Sequence, residues 1–158
     1  MQKLRIFMTE DSAATRARLT KDLSDSGDLA IVGCADTEIG GLTWLVEHPH
    51  GWDLTIVDLN SDPEGGLRML SACRVRRPNQ KVALLRSHTS PDLWRRCRGL
   101  GADVVVDKLG DSASLLRYCA RLKGGALRSG GRGTLARLGH FLRTRLATLM
   151  QGRIRLSG

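Results

Sequence analysis

The sequence lacks several features that define large classes of proteins. It contains no apolar run near the roughly 18 residues that a membrane-spanning helix needs. Its four cysteines form no Cys-x-x-Cys pair, which argues against a zinc site or a disulfide framework. Glu10 and Asp11 fall where a signal peptide needs its apolar core, so no signal peptide is predicted. We therefore expect a globular, cytoplasmic protein and exclude collagen-like, coiled-coil and disulfide-scaffold classes.

Acidic residues are also missing from the C-terminal part of the chain, and their absence explains the net charge of +9. Residues 123–158 contain eight Lys and Arg and no Asp or Glu. Residues 1–122 contain 17 basic and 16 acidic residues, so this part of the chain is nearly neutral. An argument about acidic partners therefore belongs to the short basic tail.

Extended apolar runs alternate with helical patterns between residues 3 and 122. This alternation indicates βα crossovers, and hence a parallel sheet with helices on both faces. Strands are predicted over residues 4–8, 29–34, 54–57, 82–85 and 104–106. Helices are predicted after the N-caps Ser12, Thr37 and Ser90, from Leu67 to about Arg76, and from Asp111 or Ser112 to about Lys123.

Charged side chains follow three of the predicted strands. Glu10 and Asp11 come after the first strand, Asp58 after the third and Lys108 after the fifth. Sites in doubly wound parallel sheets form beyond the carboxyl ends of the strands. We therefore expect three carboxylates and one ammonium to converge in one small pocket.

Such a pocket suggests a specific chemistry. Three adjacent carboxylates repel one another unless they are protonated or bound to a cation, and oxygen-only ligands suit Mg²⁺. An aspartate in this setting can attack a phosphoryl donor, while Mg²⁺ and a lysine neutralise the charge on the transferring group. The residues therefore predict that Asp58 is a phospho-acceptor.

Three segments together resemble the receiver domain of two-component response regulators, the CheY-like domains. They are IFMTEDS (6–12), TIVDLN (55–60) followed by Gly66 and Leu67, and GADVVVDK (101–108). The resemblance covers about residues 3–122. It implies an α/β fold with a flavodoxin-like, doubly wound sheet of five parallel strands in the order 2-1-3-4-5.

The resemblance also implies roles for individual residues. Glu10, Asp11 and Asp58 would hold Mg²⁺, with the backbone carbonyl of Asn60 as a further ligand. Asp58 would accept a phosphoryl group from a histidine kinase or a phosphotransfer protein, and Lys108 would pair with it. The domain would then signal to a downstream protein through protein contacts, as a phosphorelay module rather than an enzyme.

Two positions depart from the pattern of the family. The family carries Thr or Ser directly after the fourth strand, where a gap-free alignment gives Arg86, with Ser87 one residue further on. The family usually has an aromatic residue in the fifth strand, where Val105 stands. Arg86 has three readings: it binds the phosphoryl group, pairs with the carboxylates, or points to the surface. These departures favour an alternative, a pseudo-receiver or scaffold whose binding does not depend on phosphorylation.

The remaining residues are predicted to form a separate segment. We expect a receiver domain over residues 1–123, a Gly-rich linker over 124–133 and a basic amphipathic tail over 134–158. A helical stripe of leucines in the tail predicts contact with a protein groove, a second copy in a homodimer, or an anionic membrane. A nucleic-acid-associated regulator is a further alternative, and a partly disordered tail is the simplest interpretation.

Overall fold

The computed structural model describes residues 2–60, 62–88, 90–110 and 112–126. In these residues five strands alternate with five helices along one parallel sheet of order β2-β1-β3-β4-β5, which confirms the predicted α/β fold and strand order. The elements are β1 (Leu4–Thr9), α1 (Ala13–Asp25), β2 (Leu29–Ala35), α2 (Glu38–Glu47), β3 (Leu54–Asp58), α3 (Pro63–Ala72), β4 (Lys81–Arg86), α4 (Pro91–Gly99), β5 (Val104–Asp107) and α5 (Ala113–Ala126).

The sheet separates two apolar cores. Neighbouring residues of a strand point to opposite faces, so each central strand supplies side chains to both cores. Ile56 of β3 packs in a cluster with Leu23 of α1 and Leu115 of α5. Val57, the next residue, packs on the other face in a cluster with Leu70 of α3. Burial on both faces explains why the strands read as continuous apolar runs rather than as alternating patterns.

The predicted N-caps of α1, α2 and α4 are confirmed. The hydroxyls of Ser12, Thr37 and Ser90 each accept a hydrogen bond from the backbone N–H three residues further along the helix. These side chains satisfy N–H groups that have no partner within the helix. Each cap lies at the carboxyl end of the sheet, so it also fixes where a loop leaves a strand.

The predicted bounds of α3 were wrong. The helix spans Pro63–Ala72 rather than residues 67 to about 76. Asp62 caps it by accepting a hydrogen bond from the N–H of Gly65, and proline is favoured in a first helical turn because it needs no donor there. The pair Gly65-Gly66 made this stretch look like a loop. Close packing favours glycine at position 66, because a Cβ there would lie 2.8 Å from the backbone carbonyl oxygen of Asp58.

The last described helix ends later than expected. α5 continues through Gly124 and Gly125 to Ala126, although these glycines were predicted to begin the linker. Glycine weakens a helix by about 1 kcal/mol relative to alanine but does not end it as proline does. The rest of the predicted linker and the basic tail, residues 127–158, lie outside the described residues. Within the described ranges no helix combines the length and apolarity needed to cross a bilayer.

Candidate functional site

The structure brings the predicted charged residues together beyond the carboxyl ends of the strands. Glu10 and Asp11 follow β1, Asp58 is the last residue of β3, and Lys108 follows β5. Glu10, Asp11 and Asp58 each offer a carboxylate oxygen, and these atoms lie within 4.8 Å of one another. This spacing allows the three oxygens to contact one cation.

Lys108 links two of these carboxylates. Its Nζ lies 2.8 Å from Oδ2 of Asp58 and 2.9 Å from Oε1 of Glu10. The three side chains are 10%, 7% and 0% exposed, respectively. Water therefore screens these charges weakly, and the ammonium offsets part of the repulsion between Asp58 and Glu10.

Burial and pairing shift the pKa values of two of these groups. Burial raises the pKa of Glu10 above its usual value, because hydrogen bonds from Lys108 and the N–H of Ser12 compensate only in part for lost hydration. Burial alone would lower the pKa of Lys108, but its hydrogen bonds to Asp58 and Glu10 outweigh that effect and raise it. Lys108 therefore remains an ammonium at neutral pH.

One oxygen of Glu10 supports a cation at this position. Oε1 accepts from Lys108 and, at 2.9 Å, from the N–H of Ser12. Oε2 is buried and has no hydrogen-bond partner among the described residues. A buried acceptor without a partner is unfavourable by about 1–3 kcal/mol. The all-oxygen donor set and the unsatisfied Oε2 both fit Mg²⁺, a hard cation that binds carboxylates and keeps several waters.

The carboxylates line an open cleft with a volume of about 280 Å³. Sequence reasoning missed three further acids on its wall, Asp36, Glu38 and Asp62. Arg68 lies 2.6 Å from Glu38 and 3.8 Å from Asp62, so it partly neutralises this wall. The signal was present in the sequence, because all three acids flank the first turns of α2 and α3 at the same edge of the sheet.

Arg86, the predicted switch position, is the last residue of β4. Its Nε donates to the carbonyl of His88 at 2.7 Å, and its Nη1 donates to the carbonyl of Leu59 at 3.3 Å. These bonds connect the β4–α4 loop to the residue that follows Asp58. The guanidinium is therefore engaged with loop backbone, an arrangement that was not among the three readings of the sequence.

Ser87, the other candidate for the switch position, is paired with a side chain of the neighbouring loop. Nδ2 of Asn60 lies 2.6 Å from Oγ of Ser87, and the N–H of Ser87 donates to Oδ1 of Asn60 at 3.1 Å. The N–H of Asn60 donates to Oδ1 of Asp58 at 2.9 Å. Asn60, predicted only as a carbonyl ligand, therefore connects Ser87 to Asp58 through its side-chain amide on one side and its backbone N–H on the other.

Val105, where the resemblance described above predicts an aromatic residue, is half-buried and, like Trp94, packs against the core cluster that contains Val57. Both residues line a groove of about 590 Å³ between α4 and β5, together with Arg86 and Ser87. The groove therefore extends from Arg86 and Ser87, at the end of β4, along the surface that Val105 lines.

Comparison with solved structures identifies the fold. The REC domain of AraT, a response regulator from Geobacillus stearothermophilus, matches with a TM-score of 0.68 and 18% identity over 81% of this chain and 98% of that chain. A response regulator receiver domain protein (CheY-like) from Methanospirillum hungatei JF-1 matches with a TM-score of 0.67 and 20% identity over 81% and 100% of the two chains.

A third match is a chain of the complex between the P1 domain of CheA3 and CheY6 from R. sphaeroides. Its TM-score is 0.61 and its identity 24%, over 78% of this chain and 99% of that chain. No protein-family model and no curated protein matches the sequence. The likeness in structure is therefore far stronger than the likeness in sequence, and the chain has the CheY-like fold of a response regulator receiver domain.

Proposed function

We propose that this domain accepts a phosphoryl group on Asp58 in a Mg²⁺-dependent reaction, from a histidine kinase or a phosphotransfer protein. The proposal is carried by one observation, the ammonium of Lys108 held at 2.8 and 2.9 Å from Asp58 and Glu10. A fixed positive charge beside a carboxylate is suited to stabilise charge that develops on a transferring phosphoryl group.

Asp58 supplies the nucleophile. One of its carboxylate oxygens attacks the phosphorus atom and forms the O–P bond. The bond between phosphorus and the donor's histidine nitrogen breaks, and that nitrogen keeps the electron pair and takes up a proton. Lys108 keeps its proton throughout and pairs with the oxygens of the Asp58 phosphate, and the N–H of Asn60 orients the acceptor carboxylate through Oδ1.

Glu10, Asp11 and Asp58 are the residues that we expect to hold Mg²⁺, with the backbone carbonyl of Asn60 as a further ligand. When bound, the ion supplies a second positive charge against the phosphoryl oxygens. Glu10 stands where the family more often has aspartate, and its longer side chain brings one buried oxygen into the cluster.

The partners are also part of the proposal. One solved structure in this fold is a complex between CheY6 and the P1 domain of CheA3, which supports a histidine kinase or phosphotransfer domain as the donor for this chain. We place such a donor over the acidic cleft and expect the output to be a contact with a downstream protein in the cytoplasm. Contacts of residues 134–158 with a protein groove, a second copy, nucleic acid or a membrane remain predictions outside the described residues.

A second candidate function is a pseudo-receiver, favoured by the switch positions. Ser87 is paired with Asn60, Arg86 is bonded to loop carbonyls, and Val105 has no ring to move. In this case the protein is a scaffold whose binding is independent of phosphorylation, with Lys108 neutralising the carboxylates permanently.

Intact-mass spectrometry after incubation with acetyl phosphate separates the two functions. The wild type and Asp58→Asn are compared with Mg²⁺ and with EDTA. The proposed function predicts an adduct of one phosphoryl group that needs Mg²⁺ and is absent in Asp58→Asn. An unmodified wild type that also fails to bind Mg²⁺ by calorimetry would establish the pseudo-receiver instead.

A further inference from the structure

The loop between β5 and α5 carries Lys108 into the site, yet apolar contacts do little to hold it. Leu109, the next residue, is 74% exposed. Its N–H is bonded to Oδ1 of Asp107 at 2.9 Å, a contact within the turn itself. Because a lysine side chain has many rotamers, the place of its ammonium depends on how firmly the backbone below it is held.

Arg18 on α1 adds a side-chain anchor to the backbone one, in which the N–H of Lys108 donates to the carbonyl of Arg86 at 3.2 Å. Its Nη2 donates to the backbone carbonyl of Lys108 at 2.9 Å, and its Nη1 donates to Oγ of Ser112 at 3.2 Å. The hydroxyl of Ser112 donates in turn to Oδ2 of Asp22, one turn further along α1. Lys108 and Ser112, at the two ends of the loop, therefore both form hydrogen bonds with α1, which lies about 90 residues earlier in the sequence.

The position of α1 is itself fixed by the core, so contacts with this helix can hold the loop in place. Leu19 and Leu23 are buried in the core cluster that also contains Leu115 of α5, so the helix is packed against the sheet and its neighbour. Two residues before Arg18, Nη1 of Arg16 donates to the backbone carbonyl of Glu10 at 2.7 Å. The same helix thus holds the backbone of two residues that meet in the site.

We propose that Arg18 is a positioning residue for Lys108. By holding the Lys108 carbonyl and Ser112 together, it keeps the ammonium within hydrogen-bond distance of Asp58 and Glu10. A guanidinium suits this role because its planar fork presents several donors in a fixed geometry. The expected effect on phosphorylation rests on the proposed function, whereas the effect on the ammonium of Lys108 rests on these contacts alone.

The test uses the full chain with Arg18→Gln and Arg18→Lys. Lys21→Gln is the matched control, because Lys21 is an exposed cation on the same helix that pairs with Asp25 at 2.8 Å. Three quantities are measured: the ¹⁵N signal of the Lys108 ammonium, assigned with Lys108→Arg, the initial rate of phosphorylation by acetyl phosphate at saturating Mg²⁺, and the Kd for Mg²⁺.

In Arg18→Gln we expect the Lys108 ammonium signal to broaden through exchange with water and the phosphorylation rate to fall roughly tenfold, because small misplacements of a charged group cost large factors in rate. The Kd for Mg²⁺ should change less than twofold, since Arg18 contacts a carbonyl, a hydroxyl and, at 3.9 Å, Asp22, and none of these is an expected ligand of the ion. Arg18→Lys should restore part of the rate, and Lys21→Gln should match the wild type.

An unchanged Lys108 signal in Arg18→Gln would overturn the proposal. So would a parallel loss of rate, Mg²⁺ affinity and cooperative unfolding, because that result would describe a general structural role. If the wild type itself accepts no phosphoryl group, the proposed function fails, and the Lys108 signal alone then decides whether Arg18 positions this lysine.

Discussion

At the scale of single residues, the site is a balance between two buried carboxylates and one ammonium. Glu10 and Asp58 are almost completely buried, and Lys108 lies against both. The residues themselves were predictable, because each directly follows or ends a strand of an alternating β/α pattern. The hydrogen bonds among them were not predictable. The position of a residue after a strand places it at one edge of the sheet but does not determine which oxygen accepts from Lys108.

A substitution of Lys108 tests how much its ammonium stabilises the carboxylates of Glu10 and Asp58. We expect Lys108→Met to lower the free energy of unfolding at pH 7 by about 1–3 kcal/mol without Mg²⁺, because it leaves Glu10 and Asp58 without their shared donor. The same variant should bind Mg²⁺ more tightly, since the ion no longer competes with the ammonium. Urea unfolding and calorimetric titration measure the two effects, with Lys21→Met as the exposed control. Weaker Mg²⁺ binding would contradict this account.

The raised pKa of Glu10 predicts how stability varies with pH. Between its pKa in the unfolded chain and its higher pKa in the folded protein, the folded state binds more protons than the unfolded state. In EDTA, the contribution of Glu10 to the free energy of unfolding therefore falls as the pH rises through this window. Urea unfolding from pH 4 to 8 should show a fall that Glu10→Gln lacks and that Mg²⁺ reduces. If the free energy of unfolding has the same dependence on pH in the wild type and in Glu10→Gln, this prediction is wrong.

At the scale of elements, the clearest lesson comes from α3. Its start is hard to predict because the pair Gly65-Gly66 is typical of a loop, whereas Asp62 and Pro63 are a short signal for a helix N-terminus. In the structure Gly66 is favoured by packing, since a Cβ there would lie 2.8 Å from the carbonyl oxygen of Asp58. Tertiary contacts of this kind leave no signal in local sequence. The caps of α1, α2 and α4 depend on local hydrogen bonds, and for that reason they were predicted correctly.

The cap of α3 provides a prediction at this scale. We expect Asp62→Ala to lower the free energy of unfolding by about 1 kcal/mol, because the N–H of Gly65 loses its acceptor at 2.9 Å. Glu64→Ala is the control, since Glu64 is an acid in the same first turn and its loss should cost less. Thermal unfolding by circular dichroism measures both variants. Equal effects would mean that only the negative charge near the helix N-terminus matters.

At the scale of the whole molecule, both apolar cores and the site lie within residues 2–126. We therefore expect a chain that ends at Ala126 to unfold cooperatively and to keep the Mg²⁺-dependent phosphorylation proposed for the full chain. This shorter chain also lacks the seven arginines of residues 127–158. Calorimetry and intact-mass spectrometry provide the comparison. Loss of the cooperative transition would show that residues 127–158 are part of the folding unit.

The truncated chain also tests the nucleic-acid alternative. If the full chain binds DNA or RNA through its tail, its affinity should fall steeply with salt concentration, and the shorter chain should not bind. Equal, weak binding by the two chains would remove this alternative. Fluorescence anisotropy at several salt concentrations is sufficient for the measurement.

The position of β5 also has a consequence for the order of events in folding. β5 pairs with β4 at one edge of the sheet and leads directly into Lys108. Glu10 and Asp58 lie on or next to β1 and β3, which pair in the sheet interior. Glu10 and Asp58 both precede Lys108 in the sequence, so a chain that grows from its N-terminus completes β1 and β3 before the lysine is added. Until Lys108 is added, the two carboxylates lack its ammonium, and a divalent cation such as Mg²⁺ can supply a counter-charge between the paired central strands.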